Sequence, residues 1–151
     1  SMAPFASSVM IQGTPLTSLI GTDKLTAEQW EEIKQKTIQG GSNIIKLRGR
    51  SSFQSPAYVS VRMIEAAMGG AEFQWPAGRY VSFAGIDHIM MAMEVTITEK
   101  GSAYEEVVGN EEEMAALQKS YEHVAAMRDE CISLGIIPAI SEWSTLNPNL
   151  K

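Results

Sequence analysis

What this sequence has little of excludes several classes of function before any motif is considered. One cysteine, Cys131, in 151 residues rules out an intramolecular disulfide and points to a reducing compartment; the full protein is expected to be cytoplasmic. Two histidines, His88 and His123, stand in no HxxxH, CxxC or facing His–carboxylate pattern, so no metal site is expected. No apolar run approaches the ~20 residues a membrane helix needs. The start, SMAPFASSVMIQG, has no basic n-region and does not read as a secretory leader. Basic residues are outnumbered, 12 Lys and Arg against 18 Asp and Glu for a net charge of −6. Such a chain cannot neutralise a row of phosphates or dock on an anionic membrane, so neither nucleic acid nor membrane is an expected partner. The one basic cluster, Lys46, Arg48 and Arg50, is too short to change that. Neither GxGxxG nor GxxxxGK[ST] occurs anywhere in the chain, which removes the two commonest phosphate cradles.

What is present is ordinary for a globular protein. Hydrophobic residues make up 44% and charged residues 20%, and the length suits one domain with a real core. Ser1 ahead of Met2 reads as a cloning remnant and suggests a piece cut from a longer chain. Ala3 to Ile11 can form a short helix, ended by Gly13-Thr14-Pro15. Thr26 and Gln29 fit a capping box. The helix that follows carries Trp30, Ile33, Thr37, Ile44 and Arg48 at 3.6-residue spacing, with Gly40 and Gly41 in the same stripe. The pattern predicts one bent helix with Gly41 on a tightly packed face, since interior glycine costs about 1 kcal/mol against alanine.

Ser55 before Pro56 predicts the next helix start. The apolar surface of Ala57 to Met68 predicts a central helix buried on most sides, stopped by Gly69-Gly70. After a loop at Trp75-Pro76, Arg79 to Phe83 suits a short strand. Ile89, Met91, Met93, Val95 and Ile97 alternate with their neighbours as in a half-buried antiparallel strand. Glu99 to Ser102 reads as a hairpin turn, and Ala103 to Val108 as the return strand. Asn110 caps a last long helix whose Glu111, Glu112 and Glu113 form a solvated first turn. Its buried stripe is Met114, Leu117, Tyr121, Val124 and Cys131. A tail between Pro138 and Pro148 reads as having little structure. The expected class is α+β, a small antiparallel sheet packed with several helices.

The residues able to do chemistry have plain structural readings. His88 and His123 read as structural, Cys131 as a buried, inert thiol. The methionines around Met90, Met91 and Met93 read as packing. Arg128 falls inside an apolar stripe, so it either snorkels or pairs with a carboxylate. By these residues alone the chain shows no self-sufficient active site.

The order of the pieces nevertheless resembles the C-terminal domain of the lactate/malate dehydrogenase family, its malate dehydrogenases in particular. GTPLTSLIG at Gly13 to Gly21 resembles the family's G-[IT]-P-L-[TS]-x-L-I segment. TAEQWEEIKQKTIQGGSNIIKL resembles its long helix with a central GG, and SSFQSPAYVSVRMIEAAMGG its S-A-F-Y-A-P-A helix start. The hairpin and the acidic-capped last helix agree, so the likeness spans nearly the whole chain. Two departures stand out: Met91-Ala92-Met93 where the family has G-V-P, and Ser51-Ser52 in place of the S-A pair.

The resemblance implies that residues 1–151 are one substrate-side domain of an NAD-dependent enzyme that interconverts malate and oxaloacetate in the tricarboxylic acid cycle. It implies that Ser52, with Ser51 beside it, edges the substrate pocket. The family's general-base histidine, in a G-x-H-G-[DE] segment, its substrate-clamping arginines and its NAD-binding half all belong to sequence ahead of this domain. No catalytic, cofactor-binding or metal-binding residue is therefore expected within this chain, and the isolated chain is expected to be inactive. The domain's own N-terminal half and further copies in a homo-oligomer are the implied partners. The choice between NAD and NADP belongs to that missing half. Lys46 aside, Arg48 and Arg50 are expected at an interface or exposed. Two rivals remain: the same domain of a lactate or other 2-hydroxy-acid dehydrogenase, and an independent non-catalytic interaction domain.

Overall fold

The alternating run that begins at Ile89 becomes the middle strand of the fold. The computed structural model describes residues 3–148 and Leu150. Ser1, read above as a cloning remnant, lies outside the described residues. Two short strands, β1 (Met10–Ile11) and β2 (Thr14–Pro15), precede the long helices α1 (Ala27–Arg48) and α2 (Gln54–Ala67). A three-stranded antiparallel sheet follows, β3 (Phe73–Phe83), β4 (Ile86–Thr98) and β5 (Gly101–Tyr104), in the order β3-β4-β5. The helices α3 (Glu111–Ser133) and α4 (Ile140–Leu146) close the chain. This is the expected α+β arrangement.

The core lies between one face of the sheet and α3. Val81, Phe83, Ile86, Ile89, Met93 and Val95 of the sheet meet Leu117 and Ala125 of α3. Ala3 and Phe5, at the start of the chain, pack against the same cluster. β4 keeps its two-residue alternation except at one point. Val81 pairs with Ile89 and Phe83 with Ile86, so β4 spends one residue more than β3 over the interval. The extra residue is absorbed at His88, whose φ is +51°. That is a β-bulge, and it removes the local carbonyls from the regular ladder.

Several boundaries differ from expectation for local reasons. The first segment is not a helix: it is a 3-10 turn at Ala6–Ser8 followed by β1. Gln12 and Gly13, both at positive φ, make the two-residue turn that pairs Ile11 with Thr14, and pairing wins over helix propensity. α2 starts two residues before Pro56, with Phe53 rather than Ser55 at the cap and no side-chain cap bond. Pro56 stays within the first turn, where its missing N–H has no intrahelical partner to lose. Trp75 and Pro76 lie inside β3 rather than in a loop. The return strand ends at Tyr104, and the tail forms α4, with the Trp143 indole N–H donating to Pro138 O at 2.8 Å.

The largest corrections concern burial. α1 is one continuous helix with no buried residue, and an added Cβ at Gly41 would meet nothing within 4 Å. Gly41 is exposed, not packed. α2 is not a buried central helix either: only Ala66 is buried, while Tyr58, Val61 and Ile64 are 58–61% exposed. Both helices carry the apolar stripes that periodicity detects, yet the described residues leave them largely uncovered.

Candidate functional site

The two serines singled out from sequence sit in the corner between α1 and α2. Gly49 ends α1 in the left-handed region at φ +70°, its N–H bonded to Ile45 O at 2.8 Å. The chain then turns through Arg50, Ser51, Ser52 and Phe53 into α2. Ser51 is exposed and Ser52 half-buried. The guanidinium groups of Arg48 and Arg50 lie 5.7 and 4.9 Å from the centre of the exposed Phe53 ring. Arg48 also donates to Gln54 Oε1 at 3.0 Å. Both arginines thus contact the face of Phe53 next to the serines, an exposed interaction worth about 0.5–1 kcal/mol.

The corner has a clear chemical character. A helix N-terminus is a partial positive charge, and here two arginines and two hydroxyls surround it. Hydroxyl and guanidinium groups of this kind make the corner chemically suited to an anion. It holds no histidine, cysteine or carboxylate between Lys46 and Pro56, so it cannot itself move a proton near neutral pH.

The other candidates resolve into structural roles. His88 Nδ1 lies 2.8 Å from the Tyr80 hydroxyl, and its ring faces the edge of Trp143 at 6.3 Å. Arg128 donates to the two bulge carbonyls, His88 O at 3.1 Å and Asp87 O at 3.3 Å, and pairs with Asp129 at 2.8 Å. The Tyr121 hydroxyl donates to Asp87 Oδ1 at 3.1 Å. Arg128 is thus paired, as its place in an apolar stripe requires. Cys131 is half-buried on α3 and His123 exposed. Among the described residues no group of three or more metal-ligating side chains comes together. Nor, among them, is any helix long and apolar enough to cross a membrane.

One residue was misread from sequence. Glu113 is 8% exposed, not part of a solvated turn. It completes a capping box with Asn110, whose Oδ1 accepts from Glu113 N at 2.9 Å while Asn110 N donates to Glu113 Oε2 at 2.9 Å. Burial pushes its carboxyl upward, but hydrogen bonds from the Ser7 hydroxyl and from the backbone N–H groups of Ser7, Asn110 and Ala6 outweigh burial and hold it below the usual range. The N-x-x-E spacing is the signal that could have found it.

The fold and its likeness to known proteins define the class of protein. Residues 1–132 match the lactate/malate dehydrogenase, alpha/beta C-terminal domain, and the chain belongs to that family. Among particular relatives, the malate dehydrogenase of Pelagibacter ubique (strain HTCC1062) is 28% identical over 130 residues, 84% of this chain and 41% of that protein. The malate dehydrogenase of Plasmodium falciparum superposes with a TM-score of 0.76 at 22% identity, over 87% of this chain and 42% of that one. The same enzyme in complex with NADH gives 0.72 at 22% identity, over 87% and 44%. The lactate dehydrogenase of Cryptosporidium parvum gives 0.71 at 27% identity, over 82% and 42%. The chain thus spans about two-fifths of the length of the relatives it matches.

The described residues do not fit a dinucleotide. Both sheets are antiparallel, whereas the pyrophosphate cradle needs a parallel strand, a Gly-rich turn and an open helix N-terminus. Capping boxes close the N-termini of α1 and α3, and α2, whose start has no side-chain cap, follows the α1 corner rather than a strand.

Proposed function

We propose that this chain, as the single domain 1–151, is the substrate-side half of an NAD-dependent malate dehydrogenase that interconverts malate and oxaloacetate. An N-terminal NAD-binding half ahead of it supplies the cofactor site and the acid–base group. The observation that carries this reading is the Ser51–Ser52 corner, presented at the surface between two helices whose apolar faces the chain leaves open. A dicarboxylate suits a corner made of a helix N-terminus, two hydroxyls and nearby guanidinium groups. Ser52 is assigned to the pocket edge and Ser51 beside it. The open faces of α1 and α2 suit contacts with the N-terminal half and with further copies in a homo-oligomer, because contiguous exposed apolar surface marks association. The same reading places the protein in the cytoplasm and in the tricarboxylic acid cycle.

Malate is preferred over lactate because the Pelagibacter and Plasmodium proteins named above are malate dehydrogenases. The lactate dehydrogenase from Cryptosporidium supports the second reading, the same domain acting on lactate or another 2-hydroxy acid. Following NADH oxidation by this chain joined to the half that precedes it in its own gene, which would carry the substrate-clamping residues, separates them. Faster turnover of oxaloacetate than of pyruvate is expected. Faster turnover of pyruvate would favour the second reading, and no turnover of any 2-oxo acid would leave an interaction domain. The isolated chain should show no NAD affinity in a calorimetric titration, and saturable binding in the micromolar range would refute the division of labour.

A further inference from the structure

Glu113 joins the beginning of the described chain to the start of α3. Its Oε1 accepts the Ser7 backbone N–H at 2.9 Å from a partner 106 residues away. Its Oε2 accepts the Ser7 hydroxyl and, at 2.9 Å, the Asn110 N–H. The same carboxylate that closes the start of α3 therefore grips the first turn of the chain. The contact around it is close. An added Cβ on Gly109 would fall 2.6 Å from the Phe5 ring and 2.7 Å from Glu113 Oε2, distances at which a neighbour has to move. Phe5 in turn packs against the sheet-and-α3 core.

A solvated helix-capping glutamate needs none of this. Capping requires only the reciprocal bonds with Asn110. The bonds to Ser7 and the glycine beside Phe5 serve a second purpose, which is to hold residues 5–8 in one place and direction. The family match makes this a C-terminal domain, so those residues form the junction with whatever part of the protein lies ahead.

We propose that Glu113 is a positioning residue, a clamp that sets how the preceding half enters this domain and therefore how it faces the serine corner. This rests on the dehydrogenase reading for its catalytic consequence and on geometry alone for the clamp. The glutamine variant keeps the size of the side chain and replaces one acceptor oxygen with an NH₂ group. That group has no lone pair to offer the amides or hydroxyl now bound there.

Two measurements test it. In this chain, Glu113→Gln should raise amide hydrogen exchange at Ser7 by at least ~10-fold relative to the amides of β3 and β4, because a hydrogen bond to a charged group is lost locally. Ser7→Ala should move the same amide in the same direction if the glutamine variant folds poorly. Glu112→Gln, one residue away, makes the same charge change and should leave Ser7 unaltered. Unchanged Ser7 exchange, or a rise shared equally by the strands, overturns the clamp. In the protein joined to a nucleotide-binding half, Glu113→Gln should lower turnover by at least ~10-fold with the Michaelis constant for NADH unchanged, since a misplacement of ~1 Å costs about 100-fold. Full turnover in that variant overturns the positioning role. Failure of the unsubstituted joined protein to reduce any 2-oxo acid would overturn the dehydrogenase reading instead, and the exchange experiment would still decide the clamp.

Discussion

Replacing Arg128 with methionine tests whether the bulge in β4 is held from α3. The extra residue at His88 turns the carbonyls of Asp87 and His88 away from the ladder, and the Arg128 guanidinium takes both, at 3.3 and 3.1 Å. Its side chain is only 13% exposed, so these bonds are partly shielded from water. Both distances are long for charge-assisted bonds, which argues for less than the ~1.5–3 kcal/mol such bonds usually contribute, about 1 kcal/mol each. Methionine keeps the packing of the stem, so the loss should be near 2 kcal/mol. For a domain of this size that lowers the thermal midpoint by about 4–8 °C.

The nearer partner, Asp129 at 2.8 Å, is 59% exposed, and exposed pairs contribute little. Asp129→Asn should therefore leave the midpoint within measurement error. Tyr121→Phe removes the bond to the Asp87 side chain, and its effect should fail to add to that of Arg128→Met because both act on one bulge. Calorimetric unfolding of the two single variants and the double variant provides the numbers. A midpoint lowered by less than about 1 °C in Arg128→Met, or an equal effect from Asp129→Asn, would show that the carbonyls do not need the guanidinium.

Three further outcomes follow from other parts of the chain. Glu113, whose carboxyl lies below its ordinary value of 4.5 in the folded state, stabilises the fold fully above that value and loses its contribution as pH falls through the folded value. The gap in urea midpoint between the native chain and Glu113→Gln should thus shrink from pH 6 toward pH 3, and a gap constant with pH would contradict the assignment. Gly41→Ala should stabilise the isolated chain by about 0.5–1 kcal/mol, because the site is helical and open and glycine there only costs entropy; a destabilised variant in thermal unfolding would count against this. In the joined enzyme, Ser52→Trp should cut turnover by roughly 100-fold by displacing substrate about 1 Å, while Ser52→Ala should be nearly silent. Unchanged kinetic constants for the tryptophan variant would place Ser52 outside the pocket.

Local signals in the sequence located most elements because local physics formed them. The Thr26–Gln29 capping box is present as read, and Asn110 does cap α3. The alternation from Ile89 to Ile97 gave the inward face of β4, since the pleat enforces a period of two. What escaped detection depended on contacts distant in sequence. Nothing near Glu113 announces that Ser7 will reach it. Nothing near Arg128 announces that a bulge will offer it two carbonyls. The tail looked unstructured because its seven-residue helix depends on Trp143 meeting Pro138 and His88, not on any periodic stripe.

The misjudged burial of α1 and α2 has a different cause, and it bears on function. Periodicity reports that a helix has an apolar face; it does not report what covers that face. Reading the stripe through Ile33, Gly41 and Ile44 as a packed seam assumed that the cover lay within these 151 residues. Instead Ile33, Ile44, Val61 and Ile64 are exposed, and both helices meet at the Ser51–Ser52 corner. In the dehydrogenase reading proposed above, the polar groups of that corner hold an anion, and such groups gain strength when water is excluded from them. A lone domain cannot exclude water from an open corner, whereas a second body seated on the two apolar faces would do so. The same surface would then provide both the docking area and the dry wall of the site. That coupling makes one comparison decisive between a dehydrogenase half and an independent interaction domain. Gly41→Leu adds bulk to the α1 face without touching the serines, and nothing in this chain stands in its way. The isolated chain should therefore keep its fold, while the joined enzyme should lose association and turnover together. Loss of association with turnover intact would separate the interface from the site and leave the interaction-domain reading in possession of these helices.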